Sequence, residues 1–171
     1  TKMVAITFPD GTVERFEASI ATTGIRSLPL VGTLPENSQY NPITDALLVF
    51  KATGKTRGTL ETVGGNDVFW YDGIGSGHLY AFGGLDVFNP TRFKYTAVDG
   101  TEYILDENDG LVSLTDPNGN TLNVTTNGVS HSNGKSVLFT RNGDGLVTVV
   151  TDPAGKQVTY AYDADKRLVS V

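Results

Sequence analysis

The sequence predicts an all-β chain, a twisted antiparallel sheet of consecutive β-hairpins, and three observations carry that expectation. A turn-and-strand cassette occurs three times in the last third. It reads Asp106-Glu107-Asn108-Asp109-Gly110-Leu111-Val112-Ser113-Leu114, then Arg141-Asn142-Gly143-Asp144-Gly145-Leu146-Val147-Thr148-Val149, then Asp163-Ala164-Asp165-Lys166-Arg167-Leu168-Val169-Ser170-Val171. Units that recur in this way build arrays in which each element buries its apolar face against its neighbours. Asp-Gly pairs stand at 10, 72, 99, 109 and 144, and Asn-Gly pairs at 118, 127, 133 and 142, between short runs rich in Val, Thr, Tyr, Phe and Leu. Such pairs favour the left-handed φ values of two-residue type I′ hairpin turns. Helical periodicity, finally, is nearly absent. The one helical candidate, Asp45-Ala46-Leu47-Leu48-Val49-Phe50, has no polar face and reads as a buried strand.

Taken in order, the chain opens on strand residues either side of Asp10-Gly11, a turn pair. The stretch 23–39 carries Gly24, Pro29, Gly32 and Pro35 with little alternation and reads as a loop or linker. The segment Gly64 to Gly84 is dense in glycine yet holds Phe69, Trp70, Tyr71, His78, Tyr80 and Phe82. A boundary near Pro90 is expected to separate an N-terminal β region, 1–90, from degenerate repeats over 91–171. Beyond it several strands alternate: Phe93, Tyr95 and Ala97 against Lys94 and Thr96; Leu122 and Val124 against Thr121, Asn123 and Thr125; Val158, Tyr160 and Tyr162 against Gln157 and Thr159. One face of each is expected to be buried. The start at Thr1 and the stop at Val171, inside a cassette strand, are expected to be cuts from a longer polypeptide.

At 171 residues the chain is long enough to bury a core in one domain or two small ones. Twenty glycines suit many tight turns. Thirteen basic against nineteen acidic residues give a net charge of −6 and no basic patch, which argues against a nucleic-acid partner. The longest apolar runs are of strand length, so no membrane span is expected. The absence of cysteine excludes disulfides and thiolate metal sites.

No catalytic constellation is legible, and no cofactor is implied. Gly73-Ile74-Gly75-Ser76-Gly77-His78 fits neither a nucleophile elbow, which wants glycine two places either side of the serine, nor a dinucleotide loop, whose third glycine is replaced by His78. His78 and His131 are far apart without cysteine or helical companions, so a zinc site is not expected, and each reads as a strand-edge or turn residue. The Asx-rich turns at 106–109, 142–144 and 163–165 lack the third oxygen ligand of a calcium loop and read as hairpin turns. The aromatic cluster at 69–82 is the candidate ligand surface, with Trp70, Tyr71, His78 and Tyr80 stacking on a carbohydrate or a protein; the competing reading puts these rings in the core. Tyr160 and Tyr162 share a face of an alternating strand, and Asp163 and Arg167 flank the turn that follows, close enough for a carboxylate–guanidinium pair.

The stretch from Asp152-Pro153-Ala154-Gly155 through Tyr160-Ala161-Tyr162-Asp163 to Arg167-Leu168 resembles the YD repeat of the Rhs family, which runs D-P-x-G, Y-x-Y-D, a G-R-L turn and a second strand. Upstream, Gly128 to Arg141 is similar to the hairpin that starts bacterial arrays of this kind. The stretches Asp99–Asp106 and Thr115–Asn120 are similar to the segment that introduces it, and more loosely Thr7–Val13 resembles segments placed ahead of such arrays. The Tyr-Asp and Arg-Leu pairs stand in the third cassette alone, where Lys166 replaces the glycine; Gly110 and Gly145 keep it. The resemblance implies a strip of a hollow β shell, with Tyr160, Tyr162, Asp163, Arg167 and Leu168 as its structural motif. It also implies a secreted or cell-surface setting and three sorts of partner: the following repeats of the same polypeptide, a toxin cargo, or a cell-surface ligand. A non-catalytic structural role follows, with a carbohydrate- or protein-binding module as the alternative.

Overall fold

The computed structural model describes residues 2–26, 43–71, 78–81 and 86–171. Sixteen strands lie among them and no helix does, so the chain is all-β and antiparallel throughout. It divides into two compact units, Thr1–Val98 and Asp99–Val171, a little beyond the Pro90 of the sequence reading.

In the first unit β1 (Lys2–Thr7) and β2 (Val13–Arg26) form a hairpin, β3 (Ile43–Thr53) pairs along β2, β5 (Asp67–Tyr71) pairs with β3, and β6 (Tyr80–Ala81) closes the sheet. Residues Thr23 to Arg26 continue β2 past a bulge between Thr22 and Gly24; the rest of the stretch read as a linker, 27–39, lies outside the described residues. The stretch 45–50 is strand, as its unbroken apolar character required, and it runs between β2 and β5 in the middle of the sheet.

A second pair, β4 (Thr59–Thr62) with β7 (Arg92–Thr96), supplies the opposing layer. Aromatic rings join the two: Phe16 of β2 meets Tyr95 of β7 edge-on at 6.1 Å, and Phe50 of β3 meets Phe93 of β7 at 5.9 Å. Phe8 closes on Tyr95 at 5.5 Å. Phe16 and Val68 are fully buried, and Leu60 and Thr62 are the inward positions of a strict alternation in β4. Gly58 is required beside this cluster, because a Cβ there would run into the Tyr95 ring. A second small cluster joins Ile43, Phe69 and Tyr80.

The second unit is one layer. Strands β8 (Glu102–Asp106), β9 (Gly110–Thr115), β10 (Thr121–Thr125), β11 (Gly128–His131), β12 (Ser136–Arg141), β13 (Val147–Thr151) and β14 (Gln157–Thr159) pair each with the next. The hairpin of β15 (Ala161–Tyr162) and β16 (Leu168–Ser170) pairs with itself. The register sorts side chains by chemistry. Tyr103, Leu114 and Leu122 lie in one row, Val124, Val129 and Val137 in a second, and Phe139, Val150 and Val158 in a third, all on one face. The other face carries Glu102, Thr115 and Thr121 in one row, and Ile104, Ser113, Asn123, Ser130 and Ser136 in another. No second layer of strands within the unit covers the apolar face, and its rows stay half-buried, Val158 being 45% exposed.

The turns correct one expectation. Among the described residues the Asn-Gly and Asp-Gly pairs do not make type I′ turns, which need positive φ at both central residues, and Lys166 (φ 64°) is the sole non-glycine with positive φ there; Asp72-Gly73 lies outside the described residues. Six turns close instead on three-residue loops, a type I turn followed by one left-handed residue, while β10–β11 closes on the two residues Thr126 and Asn127. In the turns opening at Phe8, Asp116, His131, Asn142, Asp152 and Asp163, the fourth residue donates its N–H to the first carbonyl, and the first N–H donates to the fifth carbonyl. The fourth positions are Gly11, Gly119, Gly134, Gly145, Gly155 and Lys166, all with positive φ.

Candidate functional site: the turn edge of the repeats

A side-chain acceptor at the first position holds every such turn but the one opening at Phe8, where Asp10 Oδ1 accepts from Thr12 N–H instead. Asp116 Oδ1 accepts from the N–H of Asn118 and Asn120, Asn142 Oδ1 from Asp144 and Leu146, Asp152 Oδ1 from Ala154 and Lys156, and Asp163 Oδ1 from Asp165 and Arg167, all within 2.8–3.0 Å. At the remaining repeat turn His131 Nδ1 accepts from Asn133 N–H at 3.1 Å, so this histidine ends β11 as a turn residue. One side-chain oxygen of each of Asp116, Asn142, Asp152 and Asp163 is thus engaged by two backbone donors. Among the described residues no group of three or more His, Asp or Glu side chains is placed to hold a metal ion.

Hydrogen-bond donors also favour the ionised form of the turn carboxylates. The Thr12 N–H beside Asp10, the Thr101 N–H beside Asp99, the Asn120 side-chain amide beside Asp116 and the Arg167 N–H beside Asp163 each hold the carboxyl below the ordinary aspartate range.

Side chains then tie turn to turn. Arg141 donates Nε–H to the Thr126 carbonyl at 2.9 Å and an Nη1–H to the Gly145 carbonyl at 2.7 Å, clasping two neighbouring turns. Lys166 Nζ pairs with Asp144 at 2.8 Å. Arg167 Nε pairs with Asp163 Oδ2 at 3.1 Å, and Nη2 pairs with Asp165. The Arg141 clasp and the Asp144–Lys166 pair were not read from the sequence. Their signal is a basic residue immediately before one turn and at the left-handed position of the next, which says nothing until the register is known.

The tyrosines occupy different places from those expected of one continuous strand. Tyr160 donates its N–H to the Thr148 carbonyl at 2.8 Å, the last rung before β13 runs out at Val147. With no strand left to pair with, residues 161–162 turn to β16, and the Tyr162 hydroxyl donates to the Val147 carbonyl at 2.8 Å. Leu168 opens β16 and is 52% exposed.

In the aromatic segment Tyr80 is 9% exposed and stacked on Phe69 at 5.6 Å, so it belongs to the core and is withdrawn from any ligand surface. Trp70 is half-buried on β5 and His78 is exposed. The Tyr71 side chain and residues 72–77 lie outside the described residues.

The model of the RHS Repeat family matches residues 141–171, from the Arg141 clasp to the end of the chain. Residues 141–171 are thus similar to an Rhs-type repeat. No curated protein and no solved structure matches it.

Proposed function

We propose that the chain is a non-catalytic structural segment of an Rhs/YD-repeat shell, exported or displayed at the cell surface, and that the shell encloses a cargo such as a toxin. One observation carries the reading: the second unit is a single-layer sheet with an apolar face and a hydroxyl-rich face, stitched along its turn edge. A sheet whose apolar face no second layer of its own unit covers is the form a wall takes, since its stability is completed by what lies against it. The turn chemistry supports the same reading, because the polar groups most like a site are consumed in holding backbone.

The test compares two properties of the isolated protein. A solvatochromic apolar dye is expected to bind, and to bind less when Val137 and Val150 are both replaced by Thr. Panels of glycan, peptide, ester and nucleotide substrates are expected to show background turnover. A rate that survives repurification and is lost on substitution of His78 or His131 overturns the non-catalytic reading. Absence of dye binding overturns the wall.

A further inference from the structure

The four Asn-Gly pairs occupy three different kinds of place. Asn118-Gly119 and Asn133-Gly134 fill the third and fourth positions of their turns, where Gly119 N–H donates to the Asp116 carbonyl at 3.0 Å and Gly134 N–H to the His131 carbonyl at 2.9 Å. Asn127-Gly128 runs into β11: Gly128 is paired with Thr125 and Leu138, and it backs onto the Val137 carbonyl so closely that a Cβ would collide with it. Asn142-Gly143 fills the first and second positions of its turn. The Gly143 N–H has no partner among the described residues, and the space beside its Cα is open. Asn142 is exposed, and its Oδ1 accepts from the N–H of both Asp144 and Leu146 at 3.0 Å.

We propose that Asn142 is a site of spontaneous modification, its side-chain amide closing on the Gly143 nitrogen to a succinimide that water opens to aspartate or isoaspartate. Hydroxide removes the Gly143 amide proton, and the nitrogen attacks Cγ of Asn142 as the N–Cγ bond forms. The negative charge that develops on Oδ1 meets two N–H donors already in place, the arrangement by which backbone donors stabilise an oxyanion. Collapse breaks the Cγ–Nδ2 bond, and the nitrogen takes a proton from water and leaves as ammonia. A second water adds to either imide carbonyl and opens the ring. The net change consumes one water, releases one ammonia and transfers no electrons. The hydrogen bond from Asp144 N–H curls the side chain back over the Gly143 peptide, so nucleophile and electrophile are held near one another. At Gly119 and Gly134 the nitrogen must first give up its hydrogen bond, and at Gly128 the flanking strands oppose the movement.

The product has a structural consequence. An aspartate at position 142 is the residue type already present at the openings of the turns at 106, 116, 152 and 163, so the turn accepts it. The isoaspartyl product adds an atom to the backbone and shifts the acceptor, loosening the link between β12 and β13.

The folded protein, held at mildly alkaline pH and sampled over days, is digested and its four Asn-Gly peptides are quantified by mass for amide-to-acid conversion. Position 142 is expected to convert several-fold ahead of 118, 127 and 133. Gly143→Ala, which the non-positive φ and open space at Gly143 accommodate, is expected to slow it several-fold with the other three unchanged. In urea the four are expected to convert at similar rates. Conversion at 118 or 133 that keeps pace with 142 in the folded protein overturns the proposal. So does an equal lead for 142 in urea, which would assign it to local sequence and not to the turn.

Discussion

At the residue scale, one left-handed position decides each repeat turn, and its occupant sets the cost. Gly145 has φ 79° with nothing near its Cα, so Gly145→Val loses on backbone strain alone, about 1 kcal/mol or more, read as a lower urea midpoint. Lys166 holds the same position with a side chain at φ 64° and repays part of the strain by pairing with Asp144. An exposed pair contributes roughly 0.2–1 kcal/mol and the left-handed conformation costs roughly 1–2 kcal/mol, so Lys166→Gly is expected to raise the midpoint slightly. The turn carboxylates give a pH dependence of definite sign. Asp10, Asp99, Asp116 and Asp163 are held below the ordinary value, so the stability they confer is present above the unfolded value near pH 4 and is lost as pH falls through their depressed folded values. Acid unfolding followed by circular dichroism is expected to set in below about pH 4, and to be shallower in Asp163→Asn, which keeps the Oδ1 acceptor. Turn residues were legible from composition, but turn type was not. Asn-Gly serves a type I′ loop and a three-residue loop alike, and the discriminating feature is an acceptor two residues before the third-position donor.

Within single elements, alternation predicts a face but not what covers it. Leu122 and Val124 against Asn123 and Thr125 come out as read, on opposite faces of β10. Neighbours on β11 offer a matched comparison: Val129 is half-buried between Val124 and Val137, and Ser130 is exposed between Asn123 and Ser136. Val129→Lys is expected to cost about 1–2 kcal/mol, and Ser130→Lys within about 0.5 kcal/mol, by denaturant titration. Equal costs would mean that the two faces are not distinct. In the first unit Phe16 is fully buried between β2 and β7, and Phe16→Ala is expected to cost about 3–5 kcal/mol, the usual loss for emptying an aromatic site. The strand expected to run unbroken through Val158, Tyr160 and Tyr162 was misread for a physical reason outside its own residues. The pattern continues, but β13 ends opposite Tyr160, and a strand lasts only as long as its partner.

On the scale of the whole molecule, the two units bury their side chains differently, and local stability is expected to follow. The first unit holds every buried apolar residue of the described core, Phe16, Ile43, Ala46, Leu60, Val68, Phe69, Tyr80 and Tyr95. In the second unit burial is confined to Thr101 and Gly128 among the described residues. Composition is uniform enough along the chain that this contrast was not legible, because it arises from whether strands stack or lie in one layer. Within the second unit β14 and β16 are exposed along their whole length, and β15–β16 pairs with no other strand. A two-stranded hairpin is marginal by itself, so its hold on the sheet rests on the rung from Tyr160, the Tyr162 hydroxyl and the exposed Lys166–Asp144 pair. Hydrogen exchange is therefore expected to be fastest, among the strands of this unit, in 161–170, and slowest in β10 to β12. Tyr162→Phe removes one hydrogen bond worth about 0.5–1.5 kcal/mol, enough to speed exchange in 161–170 roughly two- to twelve-fold while leaving 1–98 unchanged. If 161–170 already exchanges as slowly as β11, and Tyr162→Phe changes nothing, the hairpin is held by contacts other than these.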